Sequence, residues 1–283
     1  MPDINWYPGH MAKSRRLLLG QLKAVDAVVE LCDARAPIAT RNPDLNAMLA
    51  GKNRVLVLNK ADLASDNETQ RWLAYFKANG QPALKFNSNG GNTKQVLSAI
   101  EQATKQVVDR MKARGVNKTV RLMVVGIPNV GKSSFINRLY GSAIAKASDR
   151  PGVTRSNQWV KVSTYLELLD TPGMLWPKLE NQRYAQILAY LGSIRDQIMD
   201  SETLAAELLE LLLELNPEAT KARYKLPDDL DEQEPELLLE AACKGRGWLL
   251  SGGRYDTDRA AGVILDEFRG GKIGKYTLEP CKK

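Results

Sequence analysis

Residues 126–134 read Gly126-Ile127-Pro128-Asn129-Val130-Gly131-Lys132-Ser133-Ser134 and have the spacing G-x-x-x-x-G-K-S. They follow the apolar run 120–125 and precede residues 135–140, whose pattern predicts the start of a helix. A glycine-rich loop between a strand and a helix is the context of a phosphate-binding loop, because backbone N–H groups and the helix N-terminus both face the anion. The alternative is a strand-to-helix turn that binds nothing, and the complete G-K-S-S ending argues against it.

Several side chains of this loop have predicted roles. Lys132 is expected to reach the β- and γ-phosphates, and the Ser133 hydroxyl is placed to bind Mg²⁺. The other nucleotide-binding candidates of the loop are Asn129, Val130, Gly131 and Ser134. A phosphate loop by itself does not distinguish adenine from guanine or a kinase from a hydrolase, so the rest of the chain has to decide.

The motif Asn59-Lys60-Ala61-Asp62 lies upstream, after the near-continuous apolar run 54–58. Such a run is typical of a strand buried on both faces of a parallel sheet, and ligands of open α/β sheets bind where strands end. The Asp62 carboxylate can accept hydrogen bonds from guanine N1–H and from its 2-amino group, which adenine cannot match. Asn59 can meet the N7/O6 edge, and the Lys60 stem can pack over the base. We therefore predict a guanine site.

A further strand is predicted over 82–86, and it runs into a loop that contains Ser88 and Asn89. In guanine-binding proteins a loop at this place puts a backbone N–H on the O6 atom, so both residues are nucleotide-binding candidates. The same S-N-G-G sequence is also compatible with a plain loop.

Two segments after the phosphate loop have the pattern of nucleotide-sensing switches. Residues 146–155 are polar and aperiodic, and Thr154 is a candidate second Mg²⁺ ligand. Predicted strands over 158–162 and 165–169 lead into D-T-P-G, where Asp170 would lie near the metal and the Gly173 N–H would face the γ-phosphate. Loss of that phosphate on hydrolysis would release both segments.

These guanine-nucleotide motifs occur in a permuted order, because the base-reading motifs precede the phosphate loop. A circular permutation keeps every strand in place and moves only the chain ends. We therefore predict an α/β fold, a circularly permuted P-loop GTPase domain over 1–180 with three layers and a mostly parallel sheet. A small all-α domain is predicted over 181–283, with a leucine-rich helix stopped by Asn216-Pro217, helices over 236–243 and 259–268, and a turn at 245–247.

The chain resembles the circularly permuted bacterial ribosome biogenesis GTPases. The resemblance extends over the entire chain and is carried by six motifs: W-Y-P-G-H-M-A-K at 6–13, D-A-R-A-P at 33–37, N-K-A-D at 59–62, G-I-P-N-V-G-K-S-S at 126–134, P-G-V-T-R at 151–155 and D-T-P-G-M-L-W-P-K at 170–178. It implies GTP as substrate, GDP as product, and a cytoplasmic protein that binds a late precursor of the large ribosomal subunit. It further implies that this particle stimulates hydrolysis and that the protein leaves afterwards.

The catalytic group is the least defined part of the predicted site. Ras-like GTPases have a water-orienting glutamine directly after D-x-x-G, but Met174 stands there and cannot do that work. The resemblance implies that His10 replaces it and that Asn129 coordinates K⁺ beside the phosphates. A neutral imidazole can orient or deprotonate water. The alternatives are that His10, the only histidine, is a surface residue and that Asn129 only stabilises the loop.

Charge is unevenly spread over the 283 residues. The formal net charge of +7 combines an excess of 13 positive charges in 1–191 with an excess of 6 negative charges in 192–283. A large polyanion such as rRNA would explain the basic part, and a solubility surface is the alternative. The resemblance implies a partner made of rRNA and ribosomal proteins, with rRNA bound by the helical domain. The net negative charge of that domain makes its rRNA contact weaker than the family suggests and favours the basic N-terminal domain as a second contact. The basic residues of the helical domain are concentrated late, around Tyr255: Lys244, Arg246, Arg254, Arg259, Arg269, Lys272 and Lys275.

Other features exclude some classes of protein. No long apolar run or basic-apolar leader is present, so neither a membrane span nor a signal peptide is expected. Cys32, Cys243 and Cys281 have no metal-ligand spacing, which indicates free thiols in a reducing compartment. We expect a monomer. The rival functions are a guanine-nucleotide switch acting on protein effectors and a P-loop kinase, which N-K-A-D argues against.

Overall fold

The computed structural model describes residues 16–144, 159–170, 181–194, 200–228 and 235–281. Within these ranges six strands form one sheet: β1 (Ala27–Asp33), β2 (Asn53–Asn59), β3 (Ala83–Lys85), β4 (Val120–Val125), β5 (Trp159–Ser163) and β6 (Leu166–Asp170). Their order across the sheet is β3-β2-β1-β4-β6-β5. Only the edge strand β5 is antiparallel to its neighbour, and the other pairs are parallel. The predicted mostly parallel sheet is confirmed.

Strand β1 pairs along its entire length with β2, and its first four residues, 27–30, pair with β4. The register places Asp33 directly opposite Asn59 and Glu30 opposite Val125. Because these strands are parallel, the loops that follow β1, β2 and β4 all leave from the same edge of the sheet. That edge carries both the base-reading motif and the phosphate loop.

Helices cover both faces of the sheet. One face carries helix α1, described over 16–22, together with α2 (Asp44–Met48) and α3 (Asp66–Ala78). The other face carries α4 (Thr93–Lys112) and α5 (Lys132–Ile144). Alternate residues of β1 enter the two cores, as Val29 and Leu31 face α4 and α5 while Val28 faces α1 and α2. The three-layer prediction is confirmed.

The other helices of the described residues are α6 (Gln182–Tyr190), α7 (Ser201–Leu215), α8 (Pro217–Tyr224), α9 (Pro235–Arg246) and α10 (Thr257–Arg269). The leucine stripe of α7 lies inside their common core, where Leu208 and Leu212 are fully buried. Helix α6 also contributes Leu188 to the sheet core, so the boundary at 180/181 stays a prediction. Across the described ranges, no helix has the length and apolar character needed to cross a bilayer.

Pro217 and Gly245 have structural roles that differ from the predicted ones. Pro217 does not only end α7: Asn216 caps a further helix, α8, and proline suits its first position. Helix α9 continues through Gly245 to Arg246 instead of turning there. A Cβ at Gly245 would collide with the Tyr224 carbonyl oxygen, so this glycine permits the close approach of α9 to the end of α8. Gly247, with φ of +68°, ends the helix.

Residues 65–68 read S-D-N-E, a pattern that predicts a capping box at the start of α3. Ser65 is the N-cap residue, but its side chain makes no capping hydrogen bond. Its backbone N–H instead donates to Thr277 Oγ1 at 3.2 Å, near the end of the chain. The start of α3 is therefore stabilised by a contact distant in sequence.

Candidate nucleotide site

The phosphate loop connects β4 to α5, and its two glycines are required by close contacts. A Cβ at Gly126 would lie 2.7 Å from the Leu31 carbonyl oxygen and 2.9 Å from Val130 Cγ2. Gly131 has φ of +92°, a backbone conformation that side chains rarely adopt. The loop backbone can therefore turn tightly at this edge of the sheet, which an anion-binding loop requires.

Lys132 begins α5 and is buried, with its Nζ donating to the Ile127 carbonyl oxygen at 2.9 Å. The ammonium group therefore lies across the loop. Ser133 and Ser134 follow in the first turn and are exposed. First-turn N–H groups of a helix have no acceptor within it, so this end of α5 can receive phosphate oxygens. The Ser133 hydroxyl is available on the same turn for a hard cation such as Mg²⁺.

Asn59 connects three of the predicted motifs. Its side chain is buried; Nδ2 donates to the Val130 carbonyl oxygen at 2.8 Å, and Oδ1 accepts from Ser88 Oγ at 2.8 Å. The phosphate loop, N-K-A-D and the S-N loop are thus joined through one amide. The amide keeps a second N–H, and its predicted contact with the N7/O6 edge of the base stays a prediction.

Lys60 is held in a left-handed backbone conformation, with φ of +58°. Its Nζ donates to the Asn129 carbonyl oxygen at 2.5 Å and lies 3.2 Å from Asp33 Oδ2. The Leu63 N–H closes the following turn onto the Lys60 carbonyl, and within this turn Asp62 is half-buried. The base-reading motif and the phosphate loop are therefore in direct contact.

The S-N loop is stabilised largely by its own side chains. The Asn89 N–H donates to Asn87 Oδ1 at 2.7 Å, and the N–H groups of Gly90 and Gly91 both reach the Asn87 carbonyl oxygen. Donation from Asn89 to guanine O6 would have to replace an existing bond. The role predicted for this residue stays a prediction.

Asn129 adopts φ of +63°, and its Nδ2 donates to the Gly192 carbonyl oxygen just after α6. Because the amide nitrogen faces Gly192, Oδ1 is the atom through which this side chain would bind a cation. The bond also stabilises the loop, as the alternative interpretation holds, and the two roles are compatible.

The other predicted site residues are only partly described. Asp170 ends β6, where it pairs with Val124 of the phosphate-loop strand and so reaches the same sheet edge. His10, Thr154 and Gly173 lie outside the described residues.

Sequence reasoning missed Asp33 and Arg35 as parts of this site. Asp33 is 1% exposed and accepts from Arg35 Nε at 3.0 Å and Nη2 at 2.8 Å, beside Lys60. Burial raises the pKa of the Asp33 carboxyl, but the charges of Arg35 and Lys60 and the hydrogen bonds from Arg35 outweigh it and hold the pKa well below its usual range. The one signal in the sequence that could have identified Asp33 is the position of an acidic residue at the carboxyl end of a buried strand.

Part of the basic cluster in the helical segment makes contacts with other residues of the protein. Arg269 donates to the Tyr190 and Ala189 carbonyl oxygens at 3.0 and 2.9 Å, and Lys275 pairs with Asp66. Arg246 donates to the Arg223 carbonyl oxygen at 3.1 Å and stacks over Trp248. The exposed members of the cluster are Lys244, Arg254, Arg259, Lys272 and Lys275, whose ion pair with Asp66 lies at the surface.

Comparison with known proteins identifies the family. A family model described as "50S ribosome-binding GTPase" matches residues 121–234. Ribosome biogenesis GTPase A of Bacillus cereus is 45% identical over 281 residues, covering 98% of this chain and 93% of that protein. The Thermotoga maritima protein of the same name is 28% identical over 276 residues, covering 98% of this chain and 94% of that protein.

A solved structure supports the same family assignment. The crystal structure of GNP-bound YlqF from T. maritima is similar with a TM-score of 0.69 and 26% identity, covering 95% of this chain and 98% of that one. The permuted GTPase fold predicted from the motif order is confirmed by this match. The chain belongs to the ribosome biogenesis GTPase A family.

Proposed function

We propose that the chain hydrolyses GTP at this sheet edge and acts as an assembly factor for the large ribosomal subunit, binding a late precursor and leaving after hydrolysis. The observation that carries the proposal is the Asn59 amide, which joins the phosphate loop to both base-reading loops within 2.8 Å contacts. Three motifs spread over more than 70 residues of sequence meet there. The names of the relatives support the ribosomal part of the proposal.

At the phosphate end, Lys132 and the first turn of α5 would receive the β- and γ-phosphates, with Val130, Gly131 and Ser134 supplying backbone contacts. Ser133, Thr154 and Asp170 would hold Mg²⁺, which neutralises charge on the phosphates. Gly173 would face the γ-phosphate. The tight packing at Gly126 and the GNP-bound state of T. maritima YlqF support nucleotide binding at this loop.

At the base end, Asp62 would accept from guanine N1–H and the 2-amino group, and the Lys60 stem would cover the base. Asn59, Ser88 and Asn89 would complete the pocket. The contact of Lys60 with Asn129 supports this arrangement, because it places the base-covering side chain directly against the phosphate loop.

For catalysis we propose two further components of the site, a K⁺ ion and a histidine. Asn129 would hold K⁺ through Oδ1, which adds positive charge beside the phosphates, and His10 would orient the attacking water once the ribosomal particle is bound. Such charge, when supplied by an arginine finger, accelerates hydrolysis by roughly 10³ to 10⁵. The hydrogen bond from Asn129 Nδ2 to Gly192 supports the first part, because it leaves the amide oxygen as the cation ligand.

For recognition we propose rRNA and ribosomal proteins as partners of a monomer with a GTPase domain over 1–180 and an RNA-binding helical domain over 181–283. The exposed basic residues Lys244, Arg254 and Arg259 support an anionic partner. RNA binding should weaken steeply with salt, which distinguishes it from a switch acting on protein effectors.

The decisive experiment measures GTP turnover in K⁺ and in Na⁺ buffer, with and without purified large ribosomal subunits, for the native protein and His10→Ala. We expect stimulation by subunits in K⁺ buffer for the native protein alone. Stimulation of both proteins would remove His10 from the mechanism, and equal rates in K⁺ and Na⁺ would remove the cation. No stimulation of the native protein, with particle binding verified by sedimentation, would contradict the proposed function.

A further inference from the structure

A buried ion-pair network lies beneath the base-reading loop. The Asp33 carboxylate is contacted by two cations, Arg35 at 2.8 Å and Lys60 at 3.2 Å, and both Asp33 and Arg35 are 1% exposed. None of the nucleotide-binding motifs includes Asp33. A buried charge is costly unless it is paired and hydrogen-bonded, so a carboxylate here needs a structural or functional reason.

Asp33 is held rigidly by its surroundings. It ends β1 opposite Asn59, and its backbone N–H donates to Thr40 Oγ1 at 2.9 Å. Arg35 contributes two side-chain hydrogen bonds, and its own backbone N–H donates to Asp33 Oδ1 at 3.0 Å. The carboxylate is therefore a fixed point of negative charge at the end of the central strand.

Lys60, in contrast, has a flexible four-carbon stem that loses side-chain entropy when it is fixed. Its Nζ is anchored at two points, the Asn129 carbonyl oxygen and Asp33 Oδ2. The first anchor lies on the phosphate loop, whose backbone is left-handed at Asn129. The second anchor is a rigid carboxylate of the sheet, so it defines where the stem runs before a nucleotide arrives.

Arg35 extends the network to the helical segment. Its Nη1 donates to the Phe268 carbonyl oxygen at 3.2 Å, and its guanidinium lies 5.1 Å from the centre of the Phe268 ring. Phe268 stands at the end of α10 and is buried. The orientation of the Asp33 carboxylate thus depends on packing between the sheet and α10.

We infer that Asp33 is a positioning residue of the nucleotide site, which fixes the Lys60 ammonium so that the lysine stem is preorganised to cover the guanine base. The inference rests on the proposed function, in which Lys60 contacts the base. Preorganisation lowers the entropic cost of binding, so losing the anchor should weaken nucleotide binding without changing any group that touches the nucleotide.

The test is a double-mutant cycle on the full chain, with fluorescent mant-GDP as the probe. Asp33→Asn keeps the size of the side chain and removes its charge, and Lys60→Ala removes the stem that Asp33 positions. We expect Asp33→Asn to weaken mant-GDP about tenfold. The double variant should bind no more weakly than Lys60→Ala alone, because Asp33 acts through Lys60.

Glu30→Gln is the matched control. Glu30 lies on the same strand, is equally buried and pairs with two arginines, Arg41 and Arg54, but it does not contact Lys60. The Glu30→Gln variant should lose stability, as Asp33→Asn does, and keep the native affinity for mant-GDP. Equal affinity losses in the two variants, or additive losses in the cycle, would overturn the inference.

Asp33→Asn leaves Arg35 buried beside a neutral side chain and can prevent folding. In that case the combined variant Asp33→Asn/Arg35→Met takes the place of Asp33→Asn in the cycle, so that both charges of the buried pair are removed together and the anchor of Lys60 is still lost. The same tenfold, non-additive loss is expected. Absence of mant-GDP binding by the native protein would overturn the proposed function as well, whereas native binding with an additive cycle would overturn only the role of Asp33.

Discussion

Replacing Gly131 by alanine should damage the nucleotide site through two separate contacts. The residue has φ of +92°, and a Cβ there would lie 2.5 Å from Asn59 Nδ2. The new methyl group would displace the amide that donates to the Val130 carbonyl oxygen. The substitution therefore strains the phosphate loop and breaks its connection to the base-reading motif at the same time.

The expected magnitude follows from these two costs. A side chain held in a sparsely populated backbone region costs about 1–3 kcal/mol. A buried amide left without its partner costs about 1–3 kcal/mol more. The loop can relax partly when no nucleotide is bound, so the loss divides between stability and affinity, with a sum of about 2–6 kcal/mol. The lower limit of about 2 kcal/mol corresponds to roughly a 30-fold change in an equilibrium constant.

Urea unfolding without nucleotide gives the stability part, and titration with mant-GDP gives the affinity part. Gly141→Ala is the control, since Gly141 lies exposed near the other end of the same helix with open space around a Cβ. Alanine there should stabilise the protein by about 0.5–1 kcal/mol. A summed loss below about 1 kcal/mol in Gly131→Ala would refute the proposed steric and hydrogen-bond roles of Gly131.

Two further predictions concern the buried charge and the helical core. Asp33 has a depressed pKa in the folded protein, so its contribution is present above the unfolded value of about 3.9 and is lost as the pH falls below it. The difference in unfolding free energy between native protein and Asp33→Asn should therefore be constant near neutrality and shrink in acid; a difference independent of pH would contradict this. Leu208→Ala should cost about 2–5 kcal/mol in urea unfolding because its side chain is fully buried, and Leu215→Ala, 37% exposed, less than about 1 kcal/mol. Similar losses in both would contradict the packing described for α7.

Features that depend on neighbouring residues were predictable from the sequence. The strand, loop and helix around Gly131 and Lys132 follow from local pattern, and the structure has them in that order. The apolar run before Asn59 predicted a strand buried on both faces, and β2 is such a strand. Motif order then predicted the permutation. Apart from motif order, each of these inferences uses a signal contained in a short stretch of neighbouring residues.

Features that depend on contacts between distant segments were not predictable in the same way. The collision that makes Gly245 necessary involves Tyr224, and the partner of Lys60 is 27 residues earlier at Asp33. A glycine and an aspartate have many possible roles, and local pattern does not choose among them. Only the register of β1 on β2 and the packing of α9 on α8 determine which role applies.

The end of the chain gives the strongest case of this kind. The Tyr276 N–H donates to the Leu63 carbonyl oxygen at 3.0 Å, and the Leu278 N–H donates to the Arg35 carbonyl oxygen at 2.8 Å. Tyr276 and Leu278 are buried, so these backbone groups have no access to water as a substitute partner.

Glu279 continues the same contact. Its Oε2 accepts from the N–H groups of Ile38 and Ala39 at 2.7 and 3.1 Å, and its carbonyl oxygen accepts from Trp72 Nε1 at 2.8 Å. The loops after β1 and β2 are thus completed by the last described residues. Because those two loops begin directly after Asp33 and at Lys60, the C-terminal segment is part of the framework of the base-reading end. Removing it would leave buried donors and acceptors unpaired in both loops.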